Sequence, residues 1–187
     1  GHTYGALIIW KVNEEAVEPR RIYGTPKLYY PFTDDSEIDR KYKFPKYQAV
    51  KVYEKLDGTN ICQYFYKDVA GRYYTTYKTR LTPVVLNTSI KQFENMWKTM
   101  LTKYPEEDIR AELYDKFSFS YELYGNQNLH IVRYNTDLDT RAIFSVSQAD
   151  ASINAPDDKF GFNQGAEPVA SFGEQVDIVK LYEKMRY

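Results

Sequence analysis

The sequence predicts an α+β protein built on antiparallel sheets, and three observations carry that expectation. Strand-like runs rich in tyrosine, valine and threonine come in groups instead of alternating with helices, an order that favours antiparallel pairing. Asp57-Gly58 and Ala70-Gly71 supply turns between neighbouring runs. One long stretch, from Thr88 to Tyr104, switches to a helical period.

Taken in order, Thr3 to Val12 reads as a first strand and Thr25 to Phe32 as an extended piece bounded by prolines. The polar stretch Thr33 to Lys43 is a loop or a short helix. Ala49 to Tyr53, Asn60 to Tyr66 and Arg72 to Thr79 are three strands, and the turns between them predict one antiparallel meander. Their many tyrosines fit a half-buried pleated surface. Beyond Thr88, the residues Ile90, Phe93, Trp97, Met100, Leu101 and Tyr104 recur at helical spacing as a core stripe. Asn87, Thr88 or Ser89 is available as the cap, and Pro105 marks the exit. Glu106 to Lys116 is a second short helix. Strands return at Phe117 to Tyr124, Leu129 to Tyr134 and Arg141 to Val146, then a polar loop from Asn154 to Gly173 leads to a closing helix over Glu174 to Met185.

With 187 residues, 43% of them hydrophobic and 27% charged, the chain can bury a core as a single domain and is not disordered. Its apolar runs are short, Ala6 to Trp10 among the longest, so a membrane helix and a secretory signal are excluded and a cytoplasmic setting is expected. Cys62 is the only cysteine, which excludes an intrachain disulfide and multi-cysteine metal sites, and with only His2 and His130 besides, a zinc enzyme is disfavoured. The net charge of −1 gives no overall field for a polyanion. Locally the balance differs, because residues 72 to 103 hold six basic side chains against Glu94 alone. Walker A and Gly-x-Gly-x-x-Gly phosphate loops are absent.

The most informative run is Tyr53-Glu54-Lys55-Leu56-Asp57-Gly58-Thr59-Asn60, which sets a lysine at the end of a strand, directly before a tight turn. A covalent nucleophile would sit in such a place. Lysine is almost wholly protonated at neutral pH, so that role requires partial desolvation or neighbouring cations to favour the neutral amine.

Lys55 to Asn60 follow the pattern Lys-x-Asp-Gly-Thr-Asn, which resembles motif I of the covalent nucleotidyltransferases, the polynucleotide ligases and capping enzymes. Asn60 resembles the RNA ligase branch, where DNA ligases and capping enzymes usually carry arginine. Three further segments follow in the family's order. Tyr73 to Arg80 resembles motif Ia, Phe117 to Asn126 resembles motif III with Glu122 at the acidic position, and Arg141 to Val146 resembles motif IIIa with Phe144 as its aromatic residue. Motifs IV and V are not found after Phe144, so the resemblance implies a C-terminally incomplete nucleotidyltransferase domain spanning 1 to 187, with Gly1-His2 read as a tag remnant.

By this resemblance Lys55 would attack the α-phosphorus of ATP and form lysyl-AMP, with Mg²⁺ or Mn²⁺ as the companion ion. AMP would pass to an RNA 5′-phosphate, and a 3′-hydroxyl would displace it. Glu122 would contact the ribose or hold a metal-bound water, Arg80 would contact phosphate, Phe144 would stack on adenine and Asn60 would orient the phosphate or its metal. Glu54 stands where main-chain groups read the adenine edge. Asp57 and Gly58 are read as the turn that aims Lys55, and His130 as structural. The alternatives are a DNA ligase or guanylyltransferase, which Asn60 disfavours, and a catalytically silent nucleic-acid-binding module of the same fold. Lys55 and Glu122 are expected to face one cleft.

Overall fold

The computed structural model describes residues 5–26, 28, 46–86, 91–105, 115–156 and 165–185. The chain divides into two compact units, a larger one of Gly1–Pro26 with Lys55–Ala166 and a smaller one of Lys27–Glu54 with Glu167–Tyr187. The class is α+β with predominantly antiparallel sheets.

In the larger unit, β1 (Leu7–Val12) and β2 (Glu15–Ile22) form a hairpin. Asn13 and Glu14 at its tip both have positive φ, 52° and 65°, which suits the right-handed twist of a two-residue hairpin. Pro19 lies where the β1–β2 register shifts, a place where the ladder does not need its missing N–H. The central sheet has the order β5-β4-β6-β7-β8, made from β4 (Gly58–Lys67), β5 (Tyr73–Lys78), β6 (Phe117–Tyr124), β7 (Asp139–Ser147) and the two-residue β8 (Ile153–Asn154).

Alternation along these strands separates two faces. Ile61, Phe65, Tyr77, Phe119, Tyr121, Leu123 and Ala142 point to one side and pack with Met96, Trp97 and Met100 of helix α1 (Lys91–Lys103). Trp97 is completely buried, with its ring centroid 5.2 Å from that of Tyr77 and 5.8 Å from that of Tyr121. This is the helical stripe that the sequence predicts, seen from Phe93 onward. The hairpin lies against the opposite face, where Asn13 donates to the Tyr74 hydroxyl and Leu7 to Lys11 border a hollow with Tyr64 and Pro83.

The smaller unit pairs β3 (Ala49–Val52) with β9 (Ala170–Gly173) and carries helix α2 (Ile178–Met185). Asp177 caps α2 by accepting from the amides of Val179 and Lys180, so this helix starts four residues later than Glu174.

Three sequence expectations change. The predicted meander is broken, because β3 pairs with β9 whereas β4 pairs with β5 and β6. Asp57-Gly58 is therefore no hairpin turn, and Gly58 lacks the positive φ such a turn would favour. Glycine is needed there for space, since a Cβ would fall 2.1 Å from the carbonyl oxygen of Leu123. Leu129 to Tyr134, expected as a strand, is a loop whose amides bond side chains instead of a ladder. Last, β2 arises in a stretch that the sequence assigned to no element, and β9 with the end of β8 in the stretch expected as a polar loop; a proline, charges or mere brevity hid the alternation. The expected caps at 87–89, Ile90, most of Glu106 to Lys116, the Thr33 to Lys43 segment and most of Thr25 to Phe32 lie outside the described residues.

Candidate functional site

The face of the central sheet opposite α1 is polar at the end where β4 begins. Asn60 stands opposite Glu122, and Cys62 stands opposite both Ser120 and Lys78, so all five side chains share that face. Lys55 lies three residues before β4 and is exposed. Its charge, with those of Asp57 and Arg80, acts on the Glu122 carboxyl, so the larger unit gathers Lys55, Asp57, Arg80 and Glu122 in one neighbourhood.

Glu122 is mostly buried, and loss of solvent raises its pKa from 4.5 to about 7. The Gly58 amide donates to its Oε1 at 3.1 Å and, with Lys55 and Arg80, opposes that rise. A carboxyl so placed can change charge near neutrality. Lys78 has only 3% of its surface exposed, and burial lowers its pKa, while its Nζ donates to the Thr79 carbonyl at 2.8 Å.

Asp57 has a larger part than a turn residue. Its Oδ2 accepts from the amides of Ile131 at 2.7 Å and Val132 at 2.8 Å, and these bonds hold its carboxyl below the usual range. Its own amide donates to the Tyr134 hydroxyl at 2.7 Å. The loop it grips is braced internally, because the Asn126 side chain bonds both the amide and the carbonyl of Tyr134. Asn128 adds a tie by donating to the Thr59 hydroxyl and to the Leu123 carbonyl. The segment between Lys55 and β4 is thus stapled to the loop that follows β6. Signals for this staple exist in the sequence only as isolated Asn126, Asn128 and Tyr134, which no local period connects to Asp57.

The other predicted positions fare differently. Asn60 donates to Ser120 Oγ at 2.6 Å and to the Tyr121 carbonyl at 3.3 Å, and it accepts from Thr25 Oγ1 at 2.9 Å. Its amide is engaged as a brace among β4, β6 and the chain after β2. Phe144, opposite Ser120 on β7, is 7% exposed and packs with Val146, Ala151, Tyr23 and Ile143. Its register is right for the polar face, but its ring is nearly covered. Glu54 belongs to the smaller unit and is exposed. His130, read as structural, approaches Thr59 Oγ1 at 3.5 Å beside this site. Lys78 is a member of the site that residue type and order alone do not single out beside Arg80, although its even spacing from Tyr74 and Thr76 assigns it to one face of the strand.

Among the described residues no group of three or more His, Cys, Asp or Glu could hold a metal ion by itself. Glu122 offers one carboxylate, a hard oxygen donor of the kind that suits Mg²⁺ or Mn²⁺ when phosphates complete the shell. A groove of about 780 Å³ at the far end of β4 is a poorer anion site. Its Arg20 and Lys67 both pair with Asp115, at 2.6 and 2.9 Å, so one carboxylate already offsets part of their charge. No helix among the described residues is long and apolar enough to cross a membrane.

No protein-family model matches the chain, and no match to a curated protein is found.

Proposed function

We propose that the chain is an ATP-dependent RNA ligase adenylyltransferase with a nucleotidyltransferase-like fold, in which Lys55 is the nucleophile. The observation that carries this reading is the convergence of motif-like positions distant in sequence, with Lys55 and Arg80 both acting on the raised Glu122 carboxyl of β6.

The Lys55 amine, once neutral, attacks the α-phosphorus of ATP. A P–N bond forms, the bond to the β-phosphate oxygen breaks, pyrophosphate leaves and the amine gives up its proton. The RNA 5′-phosphate then displaces lysine from the adenylate, and a 3′-hydroxyl displaces AMP to make the phosphodiester. Arg80 opposes the phosphates' negative charge, Glu122 accepts from the ribose or holds the metal, and the Asp57 staple fixes where Lys55 leaves the sheet. A divalent ion, brought with the triphosphate and held in part by Glu122, would neutralise phosphate charge.

Intact mass after incubation with ATP and Mg²⁺ tests the reading. The expected result is a gain of one AMP, absent in Lys55→Ala. Equal labelling by GTP would favour a capping enzyme, and no labelling of the wild type would favour a silent binding module.

A further inference from the structure

The N-terminal hairpin, whose Lys11, Arg20 and Arg21 are matched in number by the exposed Glu14, Glu15 and Glu18, presents an aromatic face flanked by two cations that the nucleotide site does not use. Ile8 stands opposite Arg21, and alternate residues of a strand share a face, so Ile8, Trp10 and Arg21 lie on one side of the hairpin. On that side Ile8 is 63% and Trp10 58% exposed. Each end of the patch holds a cation against an aromatic ring. Lys11 Nζ lies 4.9 Å from the centre of the Trp10 ring, and the Arg21 guanidinium lies 4.4 Å from that of Tyr23. Neither Lys11 nor Arg21 has a carboxylate partner among the described residues, whereas neighbouring Arg20 is paired with Asp115.

A flat apolar ring in water beside uncompensated cations suits a ligand that is both polyanionic and rich in flat faces. Single-stranded nucleic acid has both properties. An apolar protein surface would cover Lys11 and Arg21 without pairing them, at a desolvation cost. Continuity with the candidate site points the same way. At Gly5, just before β1, a Cβ would lie 2.6 Å from the Arg80 carbonyl oxygen and 3.4 Å from Lys78 Nζ. β1 therefore starts beside the basic end of the site and leads away from it. Trp10, five residues on, lies about 17 Å further along an extended strand. At the rise of about 3.4 Å per stacked nucleotide this distance spans about five nucleotides.

We propose that the outer face of the β1–β2 hairpin docks single-stranded RNA a few nucleotides from the end being joined, with Trp10 as the base platform and Lys11 and Arg21 as phosphate contacts. The choice of RNA rests on the ligase reading; the nucleic-acid surface itself does not.

The molecule provides its own probe, because its two tryptophans are the exposed Trp10 and the fully buried Trp97. A 5′-phosphorylated single-stranded oligoadenylate titrated into the full chain should quench the emission of Trp10. Trp10→Ala should weaken binding about tenfold, and Trp10→Phe should restore most of the loss by keeping a stacking face. Lys11→Ala and Arg21→Ala should each lower the slope of log affinity against log salt by about 0.7. Absence of quenching, wild-type affinity in Trp10→Ala, or self-association of the chain through this face would overturn the proposal. Wild-type lysyl-AMP formation, measured separately, keeps the two readings apart. If no lysyl-AMP forms while RNA affinity still depends on Trp10, the ligase reading falls and the docking surface stands. If lysyl-AMP forms and the variants bind RNA like the wild type, the docking surface falls alone.

Discussion

The two faces of the central sheet come from the same strands and have opposite chemistry. On one, Phe65, Tyr77, Phe119, Tyr121 and Leu123 close over Trp97 of α1. On the other, Asn60, Ser120, Lys78 and Glu122 stand side by side, and burial moves the Glu122 pKa up and the Lys78 pKa down. The first face obtains its stability from area removed from water. The second keeps polar groups buried or half-buried at a cost, which the first can offset because both are attached to one set of strands. A strand can therefore be a rigid support and a polar surface at once, with residue parity deciding which side chain serves which end.

The sharpest way to separate the faces is Lys55→Ala. Adenylation should vanish in the intact-mass assay while denaturant midpoints stay within about 0.5 kcal/mol of wild type, since the side chain is exposed. A large loss of stability would mean that Lys55 belongs to the structural side of the comparison. Trp97→Ala probes the other face and should cost about 3–5 kcal/mol by leaving a cavity among Tyr77, Tyr121 and the α1 side chains. A midpoint in urea near that of the wild type would show that α1 does not anchor the sheet.

Glu122 tests the cost of the polar face. Its folded pKa of about 7 lies above its ordinary 4.5, so folding favours the neutral acid. Relative to Glu122→Gln, the wild type should be most stable below about pH 4.5 and lose stability as pH rises through 7, by about 1.4 kcal/mol for each tenfold by which folding weakens the acid. Urea titrations of both proteins in chelator, at pH 4.5 and pH 8.5, measure this difference, and parallel curves would remove the burial argument. The smallest effect is expected at Asp57, which joins the site to its supporting loop. Asp57→Ala should slow adenylation about tenfold by loosening the approach to Lys55. Asp57→Asn, which can still accept a bond, should recover part of that rate, and amide exchange at Ile131 and Val132 should quicken in the alanine variant. Unchanged exchange would show that the staple does not form in solution.

Much of this was legible in the sequence, and the rest was hidden for identifiable reasons. Alternation in Asn60 to Tyr66, Arg72 to Thr79 and Phe117 to Tyr124 identified the central strands, and the helical period around Trp97 identified α1, because both signals lie within a few residues of each other. Lys55 stood out by its place directly before a turn-like dipeptide, and Arg80 and Glu122 by the resemblance of their segments to nucleotidyltransferase motifs. Strand pairing could not be found in the same way. Asp57-Gly58 reads locally as a hairpin, yet its hydrogen-bonding groups are taken by Ile131, Val132, Tyr134 and Glu122, all more than sixty residues away. With those groups so engaged, β3 is found paired with β9 and not with β4.

Which residues alternate, which recur at helical period and which carry reactive groups could thus be read from the chain alone, because these depend on near neighbours and intrinsic chemistry. Folding in three dimensions was needed to decide which strand edges meet, that Leu129 to Tyr134 serves as a loop of amide donors, that the Asn60 amide is a brace and that Glu122 titrates near neutrality. Hydrogen-bond partners and desolvation are set by whatever the folded chain brings within a few ångströms, and no local pattern of residues encodes that neighbourhood.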